Sequence, residues 1–126
     1  MASILVHITH GPEHPTRAAL GFHVAKAAIE EGHQVTLFLA GDGVQLMRDG
    51  VVDHLNGLGT GNLRQLFDAV VASGTKIYLS GMSAKSRGLT EADLGTAYDT
   101  AVDPRLNYEQ SLEMAFLIAR RMSGQR

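Results

Sequence analysis

Two short apolar runs rich in β-branched residues, Ser3 to His10 and Gln34 to Ala40, bracket a single helical pattern. A strand, a helix of about four turns and a second strand, joined this closely, form one right-handed βαβ unit. The first run is apolar on both faces in its first half, as expected of a parallel strand covered on both sides, and this predicts a place near the sheet centre. Gly11-Pro12-Glu13-His14-Pro15 supplies the turn after it, and Thr16 is placed to cap a helix running to about Glu31. Ala18, Ala19, Phe22, Ala25, Ala28 and Ile29 give that helix a wide apolar band, while Arg17, His23, Lys26 and Glu30 are its polar positions. Gly32 stands where a left-handed C-cap is required.

Gly41-Asp42-Gly43 ends the second strand, with Asp42 as cap for a short helical piece from Val44 to Arg48. Glycines at 50, 57, 59 and 61 predict a mobile surface segment, with Val51-Val52 briefly extended. Asn62 caps a helix whose Leu63, Leu66, Phe67, Val70 and Val71 follow the i, i+3, i+4, i+7, i+8 stripe, closed by Gly74. Lys76 to Ser80 is a third strand, and it breaks into a polar loop from Ser80 to Gly88. A short helix from Thr90, a polar edge strand over Thr96 to Val102 and a last helix from Pro104 to about Met122 follow. In the last helix Met114, Leu117 and Ile118 broaden the stripe of Leu112, Ala115, Phe116, Ala119 and Met122, a width suited to burial in the core and against another subunit.

The 126 residues suit one domain, 1–126, and show no internal repeat or linker. A formal charge of -2 without long runs of either sign provides no footprint for nucleic acid or an anionic membrane. The absence of cysteine excludes disulfides, thiolate metal sites and cysteine nucleophiles within the chain. No signal-peptide pattern opens the sequence and no apolar run reaches membrane-spanning length, so a cytoplasmic location is expected.

Polar residues gather at the predicted C-terminal ends of strands, where open α/β sheets bind their ligands. Ser80, His10 and Asp42 have the residue types of a nucleophile, a base and an orienting acid, although no Gly-x-Ser-x-Gly elbow surrounds the serine. Turn and capping roles account for the same three residues. Ser83, Lys85, Ser86 and Arg87 suit a small anion such as a sulfur oxyanion, phosphate or carboxylate, against the alternative of a solvated turn. His10, Glu13 and His14 carry metal-ligand chemistry, but no third histidine is near in sequence and no metal or other cofactor is expected. Gly57-Leu58-Gly59-Thr60-Gly61 lacks the third glycine of a dinucleotide loop, where Asn62 stands.

Four segments together resemble the DsrE/DsrF-like family of small sulfur-relay proteins: Gly11 to Ala18, Gly32 to Phe38, Gly41 to Val44, and Lys76 to Gly88. The resemblance covers roughly residues 3 to 94. It implies a three-layer αβα, flavodoxin-like domain with a parallel sheet and assembly into rings or stacked trimers. In the sulfur-relay members it also implies a cysteine just after the strand that precedes an Arg-Gly. The matching position here is Ser80, whose hydroxyl cannot carry a second sulfur as a thiolate does. A final helix, where members often end on another strand, is a second departure.

The resulting expectation is a homo-oligomer, trimer or hexamer, that binds a small anion or a protein partner through Glu13, His14, Ser80, Ser83, Lys85 and Arg87. Two alternatives stand beside it: a small hydrolase or transferase using Ser80 with His10, and a structural subunit in a complex with thiol-bearing sulfur-relay partners.

Overall fold

In the computed structural model, which describes residues 1–90, the two apolar runs form β1 (Ser3–Ile8) and β2 (Gln34–Leu39). They pair in parallel, from Ser3 opposite Gln34 to Ile8 opposite Leu39. Helix α1 (Pro15–Glu30) joins them. It starts on Pro15 rather than after a Thr16 cap, because proline has the helical φ already and no N–H to satisfy. The Thr16 hydroxyl instead accepts a bond from the Leu58 N–H at 3.0 Å. At the other end Gly32 has φ +85°, with Gly32 N–H donating to Ile29 O and His33 N–H to Ala28 O, both at 3.0 Å. This is the glycine stop the sequence predicts.

After β2 come a 3-10 helix over Gly41–Met47, α2 (Asp49–His54), and a two-residue hairpin of β3 (Asn56–Gly57) and β4 (Gly61–Asn62). The glycine-rich segment expected to be a mobile surface piece is therefore helical in its first half, and Val51-Val52 is not extended. Val52 is fully buried in the core with Leu55, Leu46 and Met47, and burial of these side chains outweighs the weak local preference. The hairpin is tied to α1 by the Thr16–Leu58 bond and by His23 Nε2, 2.9 Å from Thr60 O.

Helix α3 (Leu63–Ala72) begins as expected, with the Asn62 side chain accepting from Arg64 N–H at 2.8 Å. Strand β5 (Lys76–Leu79) follows and pairs in parallel with β2, from Thr36 opposite Lys76 to Leu39 opposite Leu79. The segment after it, expected to be a loop, is helix α4 (Gly81–Ser86).

The described strands lie in the order β1-β2-β5, so β2 rather than β1 is the middle one of the three. Both crossovers step in the same direction, and two right-handed crossovers in one direction place their helices on one face of the sheet. Accordingly α1 packs against α3 as well as against β1 and β2. Their buried side chains, Phe22, Ala25, Leu66 and Phe67 among them, meet the sheet face of Ile8, Val35, Leu37, Leu39 and Ile77. Phe22 and Phe67 are in ring contact, with centroids 5.7 Å apart.

One polar node ties α2 to α3. Arg64 donates from Nε to Asp53 at 2.7 Å, from Nη2 to Asp49 at 2.9 Å and from Nη1 to Asp68 at 3.2 Å. Burial by itself lowers the pKa of this guanidinium, but the hydrogen bonds to the three carboxylates outweigh it and raise the pKa above the ordinary arginine value. Among the described residues no helix is long and apolar enough to cross a membrane. The edge strand expected over 96–102 and the last helix expected over 104–122 lie outside the described residues, as does nearly all of the short helix expected from Thr90.

Candidate functional site

Parallel pairing brings the C-terminal ends of β1, β2 and β5 to one edge, and backbone contact locks the following loops together. Ala40 N–H donates to Ile8 O at 3.1 Å and Ser80 N–H to Leu39 O at 2.9 Å. Gly11 and Gly43 are both buried, and each stands where a side chain has no room. A Cβ on Gly11 would run into the carbonyl oxygen of Asp42, and one on Gly43 into the carbonyl oxygen of Ile8. The loops after β1 and β2 are thus held backbone to backbone.

Asp42 and Arg87 meet across this edge, with Nε donating to Oδ1 at 2.9 Å. The same guanidinium donates from Nη1 to Ser83 O at 3.3 Å and to Ser86 Oγ at 3.1 Å. The Ser83 hydroxyl accepts from Gly41 N–H at 2.8 Å, so α4 is fastened to the loop after β2 at two points. Arg87 Nη2 has no hydrogen-bond partner among the described residues, and neither does Lys85 Nζ, on the exposed last turn of α4. Both are donors at this edge without a protein partner among the described residues.

Ser80 has a different role in the structure. Its side chain accepts from Ser83 N–H at 3.2 Å as the N-cap of α4, and the residue is only 4% exposed. No hydrogen bond joins it to His10 or to Asp42, and Asp42 is paired with Arg87 instead of an imidazole. Among the described residues no imidazole or carboxylate is hydrogen-bonded to the Ser80 hydroxyl, as activation of a serine nucleophile requires.

Glu13, His10 and His14 form a separate group in the loop after β1. The Glu13 carboxylate accepts from Gly11 N–H through both oxygens, at 2.7 and 2.9 Å, and lies 3.6 Å from His10 Nδ1. The His10 and His14 rings are edge to face with centroids 5.3 Å apart, and Arg17 Nη1 is 3.5 Å from His10 Nε2. Among the described residues no three histidine or acidic side chains come together as metal ligands.

Of the residues picked from the sequence, the structure brings Asp42, Ser83 and Arg87 into one bonded cluster, with Ser80 and Lys85 on its helix. Glu13 and His14 belong to the neighbouring loop, which meets the loop of Asp42 through the close backbone approaches at Gly11 and Gly43. Sequence reasoning missed Arg48, whose Nη2 donates to Arg87 O at 2.9 Å and so supports the C-terminal end of α4. Nothing local marks that arginine, since its bond spans the whole of α3 and β5. The signal for α4 was present: a serine followed by Ser83 three positions on, Ala84 and Lys85, and Gly88 at φ +65° beyond the end.

The family model for the DsrE/DsrF-like family matches residues 2–118. An uncharacterized protein of Methanocaldococcus jannaschii is 31% identical over 101 residues, which are 79% of this chain and 37% of that protein. A stretch of 34 residues is 53% identical to the phospho-2-dehydro-3-deoxyheptonate aldolase AroG of Mycolicibacterium smegmatis, covering 27% of this chain and 7% of the enzyme. A stretch of 37 residues is 57% identical to a probable chloroplastic enzyme of the same name from Catharanthus roseus, covering 29% of this chain and 8% of that protein. The chain therefore spans well under half the length of each of these relatives.

Proposed function

The chain belongs to the DsrE/DsrF-like family, and from that premise we propose that it is a cytosolic, self-assembling binding domain that holds a small anion and is not a persulfide carrier. The observation that carries this reading is the braced Arg87. Asp42, Ser83 and Ser86 fix its guanidinium, while Nη2 has no partner among the described residues and Lys85 stands on the same short helix. A cation held this way is pre-organised, so less side-chain entropy is lost when an oxyanion binds. The anion class is one that accepts from a guanidinium edge and an ammonium: a sulfur oxyanion, phosphate or carboxylate. Persulfide chemistry needs a thiolate, and the serine at the end of β5 caps α4 with its hydroxyl.

Titration calorimetry with thiosulfate and inorganic phosphate tests this. Arg87→Ala and Lys85→Ala are each expected to weaken binding by roughly tenfold, the loss of one charge-assisted hydrogen bond. Binding that is unchanged in both variants refutes the assignment. Incubation with a sulfane-sulfur donor is expected to leave the mass of the chain unchanged.

A further inference from the structure

Helix α1 carries a line of apolar residues on its outward side, beside the exposed polar His23 and Glu30. Leu20 is 49% exposed and Val24 is 56% exposed, and Ala27 continues the line at helical spacing. The line ends in opposite charges, exposed Arg17 seven positions before Val24 and exposed Glu31 seven positions after it. It is therefore self-complementary about Val24. A second α1 laid antiparallel, with a two-fold axis beside Val24, sets exposed Leu20 next to exposed Ala27 of the other copy. Each Arg17 then meets a Glu31, about 10 Å from the axis on either side. Exposed Ala27 leaves room beside Val24 for the second helix, and Glu31 enters no ion pair among the described residues that would compete. Leu58, 90% exposed and held beside Thr16 by its N–H, adds apolar surface next to the N-terminal half of the line.

We infer that the outward face of α1 is a two-fold interface between two copies of this chain, closed by reciprocal Arg17–Glu31 pairs. A two-fold surface is isologous, so every contact occurs twice and the two charge pairs act together. This rests on the self-assembly half of the reading above and is independent of the anion half.

The test is sedimentation velocity of the 126-residue chain. The wild type is expected to self-associate, and Val24→Glu, which sets two like charges on the axis, is expected to abolish this association. Arg17→Glu and Glu31→Arg are each expected to raise the dimer Kd by roughly tenfold, and the double variant, with the charges exchanged, to restore it. The absence of native cysteine makes a direct probe available. Val24→Cys is expected to form an intermolecular disulfide, whereas Glu30→Cys, displaced about 9 Å along the helix from the axis, is not. A monomeric wild type overturns both the interface and the self-assembly reading. Association that survives Val24→Glu, or a charge exchange that fails to restore affinity, overturns the interface alone.

Discussion

Replacing Gly11 by alanine tests whether the loops of the candidate site are one packed unit. The added Cβ would overlap the Asp42 carbonyl oxygen and lie 2.9 Å from its carbonyl carbon. Both atoms are backbone, so relief comes only by moving the loop after β1 away from the loop after β2. Overpacking of this kind costs about 1–3 kcal/mol, and a backbone obstacle puts Gly11→Ala near the top, about 2–3 kcal/mol. For a domain of this size that corresponds to a fall in Tm of roughly 10 °C. The control is Gly50→Ala, in the first turn of α2 with nothing within 4 Å of its Cβ and no positive φ. The same substitution there is expected to stabilise by about 0.5–1 kcal/mol, by restricting the unfolded chain and favouring helix. Urea unfolding followed by circular dichroism measures both, with the slope unchanged. Because Asp42 also anchors Arg87, thiosulfate binding should weaken in Gly11→Ala and stay intact in Gly50→Ala. A Gly11→Ala variant within about 0.5 kcal/mol of the wild type would refute the backbone lock, since surface changes fall in that range.

Arg64→Ala is expected to cost about 1–1.5 kcal/mol in urea unfolding, because its three carboxylate partners are about half exposed and each pair is screened by water. Its pKa is raised in the fold, so the stabilisation tied to its charge is fully present below the ordinary arginine value and is lost only as pH rises beyond it. The guanidinium itself therefore adds no slope between about pH 6 and 9, and a penalty tracking its deprotonation in that window would contradict this. Ser80→Ala removes the α4 cap and is expected to cost about 1 kcal/mol in the same assay. Ester and thioester probes are expected to show no turnover that depends on Ser80, and hydrolysis lost on Ser80→Ala would replace the capping role with a catalytic one.

Much of the framework is legible from local chemistry. The glycine stop at Gly32, the Asn62 cap of α3 and the apolar bands of α1 and α3 depend on residues within a turn or two of one another. Helices and caps are short-range structures, which is why their signals can be read along the chain. The candidate residues Asp42, Ser83 and Arg87 were also visible, as polar groups at strand ends. Their pairing was not, because Asp42 and Arg87 are 45 positions apart and no spacing rule connects them.

Three outcomes were decided only by tertiary structure. Val51-Val52 became helical because burying Val52 with Leu46 and Leu55 is worth more than local extended preference. Ser80, matched by resemblance to a thiol position, became a buried cap once β5 delivered it to the start of α4. The order β1-β2-β5 placed α1 and α3 together on one face, which left Leu20 and Val24 pointing outward. The sequence by itself determined β1, α1, β2, α3 and β5, the membership of the DsrE/DsrF-like family and the absence of a thiol. The tertiary structure decided which polar groups satisfy one another and which donors and apolar side chains remain exposed, because burial and pairing are properties of positions brought together in space.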